Sequence, residues 1–356
     1  RGIMADIQKQ FAEFHEAIKL KRFEENSTLV EKRNIILDKL AVGLKKNFEE
    51  KDEPTPKYNW FNQGSYEMGT GIKPLNGDYD IDVGISFKVA KDDYSDPVDV
   101  KKWVYEALDG HTKRVEMRRP CVTVFYQKEG ETEYHVDLAV YSDEECNTDK
   151  KKYLAKGKLN SSSDNKTWEH SEPCQLTDQI NDHYSGEDHK QFVRVIRYLK
   201  RWKDNNFKID GNAAPVGIGL TVASYDYYLP KKDLVDAFAN KYNYNDLAAL
   251  KNVVSSMISG FATYYDNGTS SERLKTCLPV EPRCDVFEKM TDIQMVDFKK
   301  QLIALLDALN SAEEDVDPVT ACETLQKIFG DDFPVPEKSE TAQKKGPAII
   351  TSSASA

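Results

Sequence analysis

No run of eighteen apolar residues occurs anywhere in the 356 residues, so the sequence offers no membrane-spanning helix and no membrane partner is expected. The N-terminus also lacks the basic, apolar and small-residue regions of a secretory signal. Residence in the cytoplasm is the resulting expectation, with Met4 as the expected start of the folded sequence. Paired cysteine motifs are missing too. Cys121, Cys146, Cys174, Cys277, Cys284 and Cys322 are scattered, with no CxxC pair and no adjoining histidine group. Neither a disulfide framework nor a zinc knot is expected, and the thiols read as reduced and mostly structural. Positive charge is in deficit: a formal net charge of -11 argues against coating a long polyanion. Nucleotides stay available as substrates, because a small site can be locally basic or use metal ions inside an acidic protein. No internal repeat is present.

What the chain does contain is periodic. Ile7, Phe11, Phe14 and Ile18 fall at helical spacing. Thr28 and Glu31 have capping-box spacing ahead of Ile35, Leu37, Leu40, Leu44 and Phe48, predicting a second helix of about five turns that Lys51 to Pro56 ends. Between Tyr58 and Tyr141 the period shifts toward two. Asp80 to Phe87 alternates, and Pro120 to Tyr126 and Tyr134 to Tyr141 are β-rich runs joined through Gly130 as a hairpin, with a helix over Val98 to Leu108. Lys150 to Ser171 is polar and reads as a mobile connection. Helices return after Asp188: Phe192, Val195, Ile196, Leu199 and Trp202 form a stripe, Ala213 to Tyr228, Leu247 to Tyr265 and Met295 to Leu309 look helical, and Asp317-Pro318 is a cap with a first-turn proline. The expected fold is α+β. Residues 5–170 hold the N-terminal helices and a catalytic core, 171–335 a mainly helical lobe, and 336–356 a disordered tail poor in anything to bury.

The chemistry is concentrated in Gln63-Gly64-Ser65-Tyr66 and in Asp78-Tyr79-Asp80-Ile81-Asp82-Val83. Side chains alternate along a strand, so Asp80 and Asp82 emerge on one face while Ile81, Val83 and Ile85 enter the core. Two adjacent carboxylates repel unless a cation lies between them, and hard oxygen ligands suit Mg²⁺ or Mn²⁺. Asp137, between Val136 and Leu138 on another expected strand, offers a third carboxylate. Three carboxylates can hold two ions about 4 Å apart, one serving an attacking hydroxyl and one a leaving pyrophosphate. Gly64 and Ser65 would give backbone N–H groups and a hydroxyl to a triphosphate. Taken singly, each element has an ordinary reading as a solvated carboxylate or a turn; together and in this order they point to nucleotidyl transfer.

This combination resembles the signature of the polymerase-beta-like nucleotidyltransferases, and within them the bacterial cGAS/DncV-like enzymes, relatives of oligoadenylate synthetase and cyclic GMP-AMP synthase. The resemblance covers roughly residues 5 to 330 and is most specific from Gln63 to Val83. It implies a polymerase-beta-like core with a helical second lobe and a groove between them as active site. It also implies that Lys200, in Leu199-Lys200-Arg201-Trp202, touches the donor triphosphate, and it adds Gln63 to the nucleotide contacts. Where relatives often place a phosphate-binding serine after a proline, this chain has Pro215-Val216-Gly217; either the contact is lost or Ser224 takes it, and Tyr225 would stack a base or sit in the core. With Asp80, Asp82 and Asp137 as ligands of two Mg²⁺ (or Mn²⁺) ions, the implied reaction condenses NTPs, ATP among them, into a cyclic di- or trinucleotide used in anti-phage signalling. Transfer of one nucleotide to RNA or to a protein hydroxyl, and a non-catalytic nucleotide sensor, are the alternatives. No histidine and cysteine insertion for DNA sensing is evident, so no DNA activator is expected. A ubiquitin-ligase-like accessory protein acting on Thr351 to Ala356 is a further implied partner, beside the reading of a plain disordered end.

Overall fold

A computed structural model describes residues 5–20, 27–128, 131–208, 213–266 and 269–338. The expected Gly130 turn, the Thr28 side chain and the tail from residue 339 onward, including Thr351 to Ala356, lie outside the described residues.

Helix α1 (Gln8–Ile18) is followed by α2 (Ser27–Glu49), β1 (Tyr58–Asn62), the short α3 (Gly64–Glu67), β2 (Tyr79–Phe87), α4 (Pro97–Leu108), β3 (Arg114–Met117), β4 (Val122–Lys128) and β5 (Glu131–Ser142). Strands β6 (Tyr153–Lys156) and β7 (Thr167–His170) follow, and the five central strands lie in the order β1-β2-β5-β4-β3, with β6 paired to both β5 and β7. Only the β2–β5 pair of this sheet is parallel. Its alternation is the one the sequence predicts. Ile81, Val83, Ile85 and Phe87 join Val136, Leu138 and Val140 in a buried layer against Ile36, Leu40 and Leu44 of α2 and Val100, Val104 and Leu108 of α4. The intervening residues are left facing away from those helices.

The region from Lys150 to Ser171 is a correction, since it carries β6 and β7 rather than a mobile connection. Its polar composition serves a sheet edge with one wet face: Ala155 is buried, while Lys156 and Glu169 form an ion pair between the two strands.

The second lobe comprises α5 (Pro173–Asp182), α6 (Gly186–Asn206), α7 (Gly217–Tyr227), the hairpin β8 (Lys232–Asp236) and β9 (Lys241–Tyr244), α8 (Asp246–Ser259), the hairpin β10 (Ala262–Asp266) and β11 (Thr269–Arg273), α9 (Asp292–Glu314) and α10 (Pro318–Phe329). Two expected helices are shorter than the sequence implies. Pro215 disfavours helix before it, and α7 starts only after Val216, which is extended at ψ 144. Gly260 closes α8, so Tyr264 and Tyr265 fall in a strand. Asp317 caps α10 through the Val319 N–H as expected.

Phe11 and Phe14 of α1 are fully buried beside Tyr198, Phe329 and Phe333, so the first helix packs into the helical cluster and not beneath the sheet. Among the described residues, no helix is long and apolar enough to cross a membrane. The six cysteines are free; Cys121 and Cys322 are buried, while the other four are exposed and so hold no core together.

Candidate active site

The parallel register sets Asp80 beside His135 and Asp82 beside Asp137. All four side chains therefore share the sheet face turned away from α2 and α4. One ligand atom from each of Asp80, His135 and Asp137 lies within 4.8 Å of the others, a spacing that a metal ion can bridge. Asp80 is the exposed member, with 52% of its side chain accessible. Asp137 accepts a 2.5 Å hydrogen bond from Thr123 on β4. Burial, with Asp80 and Asp137 adding repulsion, pushes the Asp82 carboxyl well above the usual range; Asp137 is raised by burial and by Asp80, against the Thr123 hydrogen bond. Carboxylates crowded in this way are short of a counter-ion, and an oxygen-rich donor set fits a hard divalent cation.

His135 was not singled out by the sequence reasoning, although its parity with Asp137 on one strand was the available signal. Its Nδ1 lies 2.9 Å from Asp78 Oδ1 and its Nε2 3.2 Å from Asp80 Oδ1. Burial lowers its pKa, but the hydrogen bonds and charges of Asp80 and Asp78 outweigh that and raise it to about 9. At neutral pH both ring nitrogens then donate.

Facing Asp80 and Asp82 is a cavity of about 350 Å³ lined also by Gly64, Ser65, Thr70, Lys200, Lys203, Gly217 and Thr221. A larger hollow of about 1040 Å³ between α1 and the β8–β9 hairpin contains none of these residues. Gly64 has φ +76, and a Cβ there would sit 2.0 Å from Asp82 Oδ2 and 2.9 Å from Asp82 Cβ, so only glycine lets this backbone approach the carboxylate. Beyond it, α6 grips the loop from Gly69 to Lys73. Arg197 donates to the carbonyls of Gly69, Gly71 and Leu20, Lys200 Nζ to the Thr70 carbonyl and hydroxyl at 3.1 Å each, and Arg201 to the Lys73 carbonyl. Burial, with Lys203 and Arg197 nearby, pulls Lys200 down to about 7.

Three residues proposed for nucleotide contact are not brought into this cavity. Ser224 is fully buried and donates to the Leu220 carbonyl at 2.8 Å. It shares a helix face with Gly217 and Thr221 but lies about 10 Å farther along the axis than Gly217, beyond the cavity wall; Thr221 lines the cavity, and its hydroxyl donates to the Gly217 carbonyl at 3.2 Å. Tyr225 packs on His183 with ring centroids 3.9 Å apart and donates to Gln179. Gln63 accepts from the Tyr141 hydroxyl at 2.9 Å, bracing β5 instead of facing the cavity.

Residues 58–141 match the nucleotidyltransferase domain of cyclic GMP-AMP synthase DncV-like proteins. Over 279 residues the chain is 24% identical to a cyclic GMP-AMP synthase of Escherichia albertii, a match covering 75% of this chain and 55% of that relative; the chain thus spans about half of its length. The fold is similar to that of the Bradyrhizobium diazoefficiens CD-NTase CdnG in complex with GTP, at TM-score 0.65 and 13% identity over 92% of this chain and 96% of that one. It is also similar to a mutant Vibrio cholerae dinucleotide cyclase DncV in complex with ATP and GTP, at TM-score 0.63 and 15% identity over 93% and 97% of the two chains. The matched span ends within β5, so it contains all three aspartates and the Gly64 turn, while Lys200 and Thr221 lie outside it, on α6 and α7.

Proposed function

We propose that this chain condenses nucleoside triphosphates, ATP among them, into a cyclic di- or trinucleotide with release of pyrophosphate. The observation that carries the reading is the register of Asp82 opposite Asp137, with Asp80 on the same face, at a cavity whose other wall holds Ser65, Lys200 and Lys203. Asp80, Asp82 and Asp137 would hold two Mg²⁺ or Mn²⁺ ions, which lower the pKa of an attacking hydroxyl and offset charge on the leaving group.

The protein's own contribution is placement. Thr123 holds the Asp137 carboxylate through Oδ1, so that it is placed to take a ribose hydroxyl proton. Gly64 allows the backbone to come against Asp82, and the Ser65 hydroxyl and the ammonium groups of Lys200 and Lys203 meet the triphosphate from the facing wall. A cleft of this kind that retains its product permits a second attack, which closes a ring. The resemblance and the likeness to a cyclic GMP-AMP synthase support the cyclic product, and the resemblance alone supports a cytoplasmic role in anti-phage defence and conjugation of residues 351–356 by an accessory protein.

The test is incubation with all four NTPs and Mg²⁺ or Mn²⁺, followed by mass spectrometry after nuclease and phosphatase treatment. A resistant cyclic product that disappears in Asp80→Asn and Asp82→Asn is expected. Undiminished pyrophosphate release by those variants would refute the assignment.

A further inference from the structure

The three aspartates are not equally held. Asp82 is packed against Gly64, and Asp137 is tied to Thr123, whereas the half-exposed Asp80 projects toward solvent with His135 as its neighbour across the β2–β5 register. His135 is itself well fixed. Only 14% of its side chain is accessible, the Phe125 ring lies 5.8 Å away between centroids, and Nδ1 is bonded to Asp78. Asp78 in turn sits in a turn closed by its own N–H donating to Asn76 Oδ1 at 3.2 Å. A row of side-chain contacts therefore runs from Asp78 through His135 to Asp80, and its last contact reaches the carboxylate that most needs holding.

We propose that His135 is a positioning residue: anchored by Asp78, it fixes the Asp80 carboxylate in the orientation that receives a divalent ion. This rests on the reading that Asp80, Asp82 and Asp137 form the ion site. Without the imidazole, Asp80 is free to turn among rotamers on the open side of the cavity, and each binding event must then order it. Partners that orient a ligand from behind typically change metal affinity by about 10- to 100-fold. The same geometry admits a rival in which the His135 nitrogen enters the coordination sphere itself, so the experiment separates the two.

Mn²⁺ is titrated into the full chain and free ion is followed by electron paramagnetic resonance, with thermal melts in chelator as a folding control and electron spin echo modulation as a probe for bound nitrogen. The expected result is at least a tenfold weaker Mn²⁺ affinity in His135→Ala, partial recovery in His135→Gln, whose amide can still donate to Asp80, and an intermediate loss in Asp78→Asn, with melting temperatures close to wild type and no nitrogen modulation in wild type. Equal affinity in His135→Ala and wild type overturns the proposal, as does nitrogen modulation in wild type that His135→Ala removes, which makes the residue a ligand. If His135→Ala does not fold, His135→Gln and Asp78→Asn carry the same comparison. Wild type and Asp82→Asn binding Mn²⁺ alike would instead remove the ion site, and the role of His135 with it; tight binding that Asp82→Asn loses but the His135 and Asp78 variants keep leaves the site standing and refutes the positioning role alone.

Discussion

Replacing Gly64 by alanine separates two effects that one glycine combines. The first is conformational: at φ +76 an L-residue is disfavoured by about 1–2 kcal/mol. The second is contact. The new Cβ would stand 2.0 Å from Asp82 Oδ2, 2.7 Å from Cγ and 2.9 Å from Cβ, and rotation of the carboxylate relieves the first two distances but not the third. Asp82 or the Gly64 backbone must then retreat by roughly 1 Å to regain a normal nonbonded separation, a displacement that at a reacting centre lowers turnover about a hundredfold. Gly110, also at φ +76 but with nothing within 4 Å of its added Cβ, supplies the control. In denaturant melts Gly110→Ala should lose the backbone share alone and Gly64→Ala at least as much, while in a pyrophosphate-release assay only Gly64→Ala should lose about two orders of magnitude in kcat. A folded Gly64→Ala protein with kcat within a few fold of wild type would refute the reasoning, because the close approach of this backbone to Asp82 would then have no catalytic consequence.

Lys200 carries a pH signature. Its folded value near 7 lies below the ordinary lysine value, so the ammonium is present below pH 7 and lost as pH rises through it; KM for NTP should climb between pH 6 and pH 8 in wild type and stay level in Lys200→Met, and an equally steep climb in the variant would show that another group is responsible. Arg197 is a matter of stability: Arg197→Met removes the donor to the loop carbonyls of Gly69 and Gly71, to the Leu20 carbonyl and to His15 Nε2, and urea denaturation should show a loss of about 3 kcal/mol or more, a loss under 1 kcal/mol being incompatible with the loop being held from α6.

The parts of the site that are local in sequence were readable there. Alternation alone set Asp80 and Asp82 on one face and Ile81 and Val83 on the other, and the apolar neighbours of Asp137 marked its strand. His135 obeys the same rule, two residues before Asp137, and went unremarked because a single histidine in a strand has no partner in the sequence; Asp78 and Asp80 become its partners only through the parallel register. Ser224 shows the opposite failure. Helical periodicity finds a face, and Ser224 is on it, but periodicity says nothing about how far along the axis the cavity extends. Gln63 and Tyr225 were placed by resemblance, and their positions depend on Tyr141 and His183, residues distant in sequence. The strands at β6, β7, β10 and β11 were hidden because edge pairs rely on cross-strand contacts more than on apolar runs.

A parallel pair cannot be closed by a tight turn, so β2 must wait while the chain makes α4 and the β3–β4 arm before β5 can dock beside it. Asp78 and His135, which meet in that docking, are 57 residues apart in the chain. Until then Asp137 is solvated apart from Asp80 and Asp82, and the three crowd together only when the sheet closes. A nascent chain that stops short of β5 thus possesses a finished aspartate strand and no ion site. Any ion that binds all three aspartates binds only the closed sheet, so it draws the folding equilibrium toward the native topology and acts as a clasp on the step that joins β2 to β5.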